Sequence, residues 1–409
     1  MTDLKKNVPE LRFPEFSGEW EEMPLEKLCT FSNGINAKKE QYGHGRKFIN
    51  VLDILNKNYI TYDEIIGAVS VSEETEQRNK VEYGDLLFLR SSETREEVGT
   101  SNVYLDDRFA LYGGFVIRGK KIAEYDPMFI KNLLNTGKIR SVISAASGGS
   151  TRYNVNQEIL KKLKLKLTKI KEQQKIGNFF SKLDRQIELE EQKLALLEQQ
   201  KKGYMQKIFS QELRFKDDNG NDYPEWEDKQ LSSFLQIRNN KQIPNEEAPL
   251  MSFTSTGGIE AKGDRYNREF LVKDKNKMYK KTELYDLIYS SNNLDVGAIG
   301  LNRYGEAVIS DVYEIFSIKS SFSPYYVELA IIQPKFINNI LKFRQGALYG
   351  QYRIHAKDFL KLKIKLPYEL EQQKIGDFFN KLDQLIEKQS HKVDLLKQRK
   401  KGLLQKMFV

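Results

Sequence analysis

Apolar residues recur every seventh position in two stretches of the chain, residues 172–210 and 371–409. In the first stretch one core position is filled by Phe180, Ile187, Leu194 and Ile208, interrupted by Lys201. The other is filled by Ile176, Leu183, Leu197 and Tyr204, interrupted by Glu190. The second stretch repeats the scheme with Phe379, Ile386, Val393 and Met407 around Lys400, and Ile375, Leu382, Leu396 and Leu403 around Gln389. Neither contains proline, and a seven-residue rhythm of this length predicts coiled-coil helices. At a constant offset of 199 residues, 23 of the 39 positions are identical. The chain therefore holds two copies of one structural unit.

The polar interruptions predict how the two helices pair. In a parallel, in-register pair Lys201 would face Lys400, and two ammonium groups about 6 Å apart at an effective dielectric near 20 repel by roughly 2–3 kcal/mol. An antiparallel pair, turned about the midpoint of each copy, sets Lys201 against Gln389 and Glu190 against Lys400. It also sets Leu194 against Leu396, Leu197 against Val393, Ile187 against Leu403, Tyr204 against Ile386 and Leu183 against Met407. Polar residues in a coiled-coil core specify register in this way. The expectation is an intramolecular antiparallel coiled coil with rods about 55 Å long. Phe179 and Phe378 point off that seam. Two roles stay open for them: capping the adjacent domain, or binding a partner subunit.

Between the helices the pattern changes to short β-like runs broken by turns. Lys47–Ile54, Gly84–Arg90 and Phe115–Gly119 are predicted strands, Pro127–Ala146 is a predicted helix, and LKLKL at Leu163–Leu167 alternates apolar and basic. The second half follows the same plan with little identity: Tyr285–Ser291, a helix from Pro324 to Phe343, and LKIKL at Leu362–Leu366. The predicted fold is α/β: two pseudo-symmetric α/β domains, residues 1–168 and 211–367, separated by the two long helices, residues 169–210 and 368–409. A lead-in opens each half, ELRFPEFSGEW at Glu10–Trp20 and ELRF at Glu212–Phe215 followed by Trp226. Its apolar residues are expected to anchor on the adjacent domain.

Composition narrows the chemistry. The chain has 409 residues, a formal charge of +9 and a single cysteine, Cys29. No disulfide can form within it, which suits a reducing, cytoplasmic setting, and no apolar run is long enough to span a membrane. The positive charge favours an anionic partner such as nucleic acid. Catalytic signatures are missing: no GxxxxGK[ST], no HExxH and no CxxC pair. DPMF at Asp126–Phe129 is a helix start, and the three histidines, His44, His355 and His391, form no constellation. No metal site is therefore expected, and no motif for a cofactor of its own is read from the residues.

Two loops carry candidate recognition chemistry at matching places. SGGSTRYNV (Ser147–Val155) supplies Ser150, Thr151, Arg152, Tyr153 and Asn154; GALYGQYRI (Gly346–Ile354) supplies Tyr349, Gln351, Tyr352 and Arg353. Arginine reads guanine bidentately, Asn and Gln read adenine, and glycine lets backbone approach phosphate. A plain helix-to-strand turn is the competing reading of each loop. Lys38, Lys39, Arg46 and Lys47 in the first domain, and Arg238, Lys241, Arg265 and Arg268 in the second, are candidate phosphate contacts, or else solvated surface charges.

EQQKIGNFFSKLD and EQQKIGDFFNKLD, the KKG…QK endings at Lys201–Lys207 and Lys400–Lys406, and the ELRF…W lead-ins together resemble the specificity subunit of type I restriction–modification systems. The resemblance covers nearly the whole chain. It implies two target recognition domains, each reading one part of a split DNA sequence, with the antiparallel coiled coil fixing the gap. It further implies a subunit that is not itself an enzyme and recruits two methyltransferase and two restriction subunits. Adenine methylation, ATP-dependent cleavage, AdoMet, ATP and Mg²⁺ would belong to those partners. A two-domain coiled-coil adaptor without DNA sequence preference is the alternative.

Overall fold

The computed structural model describes residues 7–55, 58–149, 151–254, 258–261, 276–291, 298–343, 345–346 and 352–409, with the strand backbone alone at 261, 345–346 and 352–353. The candidates Ser150, Arg265, Arg268, Tyr349 and Gln351 lie outside these residues. The chain divides into two compact units, Met1–Lys193 with Gln389–Val409, and Leu194–Lys388. Each long helix, Ile170–Phe209 and Glu369–Met407, contributes one half to each unit. The boundaries therefore fall inside the helices.

The first unit is built on an antiparallel sheet in the order Cys29–Asn33, Val116–Lys121, Leu86–Leu89, Ser101–Val103. Leu86–Leu89 is buried on both faces, as its unbroken apolar run requires. The predicted strand at Lys47–Ile54 instead occupies Tyr42–Ile49, and Val51–Leu55 turns into a short helix. The predicted helix at Pro127–Ala146 breaks into Pro127–Leu134 and Gly137–Ala146. Asn135 ends the first piece, its amide donating to the carbonyls of Ser101 and Lys131. LKLKL pairs antiparallel with Glu21–Pro24, with its leucines buried and Lys164 bonded to Glu22 at 2.8 Å.

The second unit repeats the sheet with Leu235–Ile237, Tyr313–Ile318, Leu287–Ser290 and Ile299–Leu301 in the same order. LKIKL pairs antiparallel with Glu227–Gln230. Its predicted helix also divides, into Pro324–Ile331 and Pro334–Ile340, because Pro334 has no N–H to continue the ladder.

Much of the repeated EQQKIG…FF motif packs inside its own unit. Ile176 and Phe180, and Ile375 and Phe379, are buried in the core of their own unit. Gln173 accepts from the Asp126 N–H at 3.1 Å and donates to the Thr168 carbonyl. Gln372 does the same with Ser323 and Pro367. The lead-in supplies more than apolar anchors: Arg12 clamps Glu172, and Arg214 clamps Glu371. The lead-in tryptophans complete matching aromatic clusters. Trp20 lies 5.6 Å from Phe129 and 6.2 Å from Phe408; Trp226 lies 5.8 Å from Tyr326 and 6.1 Å from Phe209. Phe179 packs on Phe13 and Phe378 on Phe215, so each touches the lead-in of its own unit.

Within each unit the long-helix segments run antiparallel, but their register differs from the expected layers. In the first unit Gln389 donates to the Glu190 carboxylate at 2.7 Å, Lys392 also reaches Glu190, and Lys400 pairs with Asp184. In the second, Lys201 pairs with Asp383 at 2.5 Å, and Tyr204 packs edge-on against Phe378. The partners of Lys400, Lys201 and Tyr204 lie 6 to 8 residues from the expected ones, and that of Gln389 lies 11 away. The expected layers matched core residues only with core residues. Asp184 and Asp383, one place beyond Leu183 and Leu382, neutralise the lysines from the flank while the lysine stems stay half-buried. Of the expected core residues, Phe180, Leu183, Ile187, Phe379, Gln389 and Val393 are buried. Glu190, Leu194, Leu197, Lys201, Leu382, Ile386, Leu396 and Lys400 are half-buried.

Candidate nucleic-acid interface

In the first unit the recognition-loop candidate leaves helix Gly137–Ala146 and closes on itself. Gly148 and Asn154 exchange backbone hydrogen bonds, and Val155 donates to the Arg90 carbonyl at 2.9 Å, at the end of the central strand. Gly149 has φ +120°, and a Cβ there would stand 2.0 Å from the Arg152 carbonyl oxygen, so only glycine fits. Tyr153–Asn154 pairs antiparallel with Ser91–Ser92. Thr151, Arg152 and Asn154 are exposed and Tyr153 is half-buried.

That pairing brings in a segment the sequence did not single out, Glu93–Glu97. Arg152 lies 3.4 Å from Glu93, and the Arg95 guanidinium stands over the Tyr153 ring at 5.0 Å. The Ser92 hydroxyl donates to Glu97. The available signal was the likeness of GDLLFLRSS to YDLIYSS, which marks where this segment leaves the core strand.

The second unit pins its loop in the same manner. Tyr352–Arg353 pairs with Gln345–Gly346, and Ile354 donates to the Ser291 carbonyl at 3.1 Å. Ser291 ends the central strand as Arg90 does in the first unit.

The basic candidates separate into two groups. Lys38 and Lys39 are exposed. Lys241 is exposed and pairs with Asp311. Arg46, by contrast, stacks over Phe109 at 4.1 Å and pairs with Glu76, and Lys47 donates to the Ile65 carbonyl. Arg238 is committed to the interior. It reaches Glu283 at 2.9 Å and Asp286 at 2.8 Å, and Asp286 is 2% exposed.

The Arg238 site has a twin. Lys80, Glu82 and Asp85 repeat as Lys281, Glu283 and Asp286, and each aspartate accepts from the backbone N–H of its glutamate. In the first unit the arginine is Arg118, 4% exposed and 2.7 Å from Asp85. Arg118 stands opposite Ser32 on the neighbouring strand. In the second unit Ile315 takes the Arg118 position, and Arg238 arrives from the neighbouring strand, donating its N–H to the Ile315 carbonyl. Burial pushes both aspartates above the usual carboxylate range, and the arginine opposes that. A buried carboxylate needs a cation, and either strand can provide it. The phosphate-contact expectation for Arg238 gives way to this internal role.

Among the described residues no cluster of three or more His, Cys, Asp or Glu side chains could hold a metal ion, and no helix is long and apolar enough to cross a membrane.

The sequence signature described as "Type I restriction modification DNA specificity domain" matches residues 17–199 and again residues 223–397. A Methanocaldococcus jannaschii protein assigned as the specificity subunit of the type I restriction enzyme MjaX is 25% identical over 419 aligned residues, covering 97% of this chain and 95% of that one. The crystal structure of the type I restriction–modification S subunit from M. genitalium superposes with a TM-score of 0.62 at 16% identity, covering 98% of this chain and 99% of that one. That likeness is one of fold.

Proposed function

The chain belongs to the type I restriction–modification DNA specificity family, and from that membership we propose that it reads a split target in duplex DNA, one part with each unit. It performs no chemistry itself. Two methyltransferase and two restriction subunits assemble on it and bring AdoMet, ATP and Mg²⁺ for adenine methylation and ATP-dependent cleavage.

One observation supports this reading above the others. A loop bearing glycine and arginine is fastened in each unit to the end of the same central strand, through Val155 to Arg90 and Ile354 to Ser291. The scaffold around the loops is repeated, while the loop sequences differ, as two specificities on one frame require. Arginine paired to guanine edges and exposed lysines on phosphates are the chemistry these surfaces offer. The net charge of +9 adds a salt-dependent attraction to the duplex.

Binding of the full chain, together with its methyltransferase subunits, to randomised duplexes at several salt concentrations tests the proposal. A two-part consensus with an unspecified spacer is expected. An adaptor would select no sequence, and any affinity would follow salt alone.

A further inference from the structure

Glu93 is a carboxylate beside a surface proposed to meet a polyanion. Facing a phosphate, it would be repelled. It is 81% exposed and its partner Arg152 is 56% exposed, so the pair is not part of the core. Their separation, 3.4 Å, leaves a loose ion pair that can open without disturbing the fold. The backbone beneath both residues is fixed by the pairing of Tyr153–Asn154 with Ser91–Ser92 and by Arg95 stacked on Tyr153. Glu93 and Arg152 therefore present an acceptor and a forked donor side by side.

That arrangement is the complement of one base pair. In the major groove a G·C pair offers two adjacent acceptors on guanine, N7 and O6, and beside them the N4 donor of cytosine. The O6 and N4 groups are hydrogen-bonded to each other, at about 2.9 Å, close to the spacing of the protein's donor and acceptor. An A·T pair offers its donor between two acceptors, so the arginine fork could take only one.

We propose that Glu93 and Arg152 act as one unit that reads a single G·C pair, Arg152 on guanine O6 and N7 and Glu93 on the N4 amino group of the paired cytosine. This rests on the DNA-reading function proposed above. It adds Glu93 as a specificity-determining residue and names the base pair. It also gives the carboxylate a role at the interface: in an A·T or C·G pair it would face an acceptor, so it rejects as well as selects, while a T·A pair is refused by the arginine fork, which finds O4 alone.

The test is selection from a randomised duplex library by the full chain assembled with its methyltransferase subunits, comparing wild type, Glu93→Gln and Arg152→Gln. The wild type selects G·C at the position concerned. Both variants lose discrimination there, by about tenfold, and at no other position. The inference is overturned if the two variants relax different positions, if the shared position is A·T in the wild type, or if Glu93→Gln tightens binding to every sequence equally. Absence of any selected sequence with the wild type defeats the DNA-reading function itself, before the variants are compared.

Discussion

Arg214 closes a two-pronged ion pair on Glu371, with Nη2 2.8 Å from Oε2 and Nε 3.2 Å from Oε1. Arg12 holds Glu172 in the same way at 2.7 and 2.8 Å. The carboxylates are 0% and 1% exposed. Each joins a lead-in to the first turns of a long helix, which is why ELRF and EQQKIG recur together in the sequence. Replacing Arg214 by Ala strands a buried charge and is expected to cost about 3–5 kcal/mol. Adding Glu371→Gln should recover a large part of that. Denaturant unfolding of the two variants measures both effects; equal stability of the single variant and wild type would remove this pair from the account.

Gly177 and Gly376 are equivalent glycines under unequal pressure. A Cβ at Gly177 would stand 2.1 Å from Asp126 Oδ1, which caps helix Pro127–Leu134 by accepting from the Phe129 N–H at 2.7 Å. At Gly376 the nearest atom is the Ser323 hydroxyl, 2.7 Å away, in a looser cap of 3.5 Å. Gly177→Ala should destabilise by about 1–3 kcal/mol and Gly376→Ala by less. Thermal unfolding of the two variants gives the order.

Lys131 is buried in helix Pro127–Leu134 near Lys400 and Asp184. Burial, reinforced by Lys400 and opposed by Asp184, lowers its ammonium from 10.5 to about 8. Between those values the unfolded chain holds more protons on this group than the folded one, so its contribution to stability rises with pH from about 8 to about 10.5. Below pH 8 the buried charge is a cost on the order of 3 kcal/mol. Lys131→Met should therefore stabilise the first unit at pH 7, and its advantage over wild type should shrink toward pH 10. An advantage that does not change with pH would contradict the assignment.

Asp184 and Lys400 pair across the two helix segments of the first unit. Asp184→Lys is expected to cost about 3–5 kcal/mol through two facing ammonium groups, one of them buried. The added change Lys400→Asp should restore much of it. Unfolding midpoints of the single and double variants decide; no rescue would place the partners elsewhere.

The duplicated plan was legible because it is written in periodicity: the heptads, the alternating LKLKL and LKIKL, and the shared order of elements. The antiparallel sense followed from Lys201 and Lys400. The register did not, because a flanking aspartate can satisfy a core lysine, and a layer-by-layer match takes no account of flanks. The helix breaks at Asn135 and before Pro334 were there to be seen in the local chemistry. Arg238 was misassigned because its role depends on a carboxylate 48 residues away, Asp286. Glu93 was invisible for a similar reason: only strand pairing brings it to Arg152.

The central claim is that the two units read separate parts of one duplex. Mapping the methylated sites made in cells by the chain and its partner subunits, for wild type, Arg152→Ala and Arg353→Ala, tests it most directly. Two short conserved blocks flanking an unspecified spacer are predicted, with Arg152→Ala relaxing one block and Arg353→Ala only the other, each by about 1–3 kcal/mol of discrimination. A single continuous block, or variants that weaken both blocks alike, would contradict it.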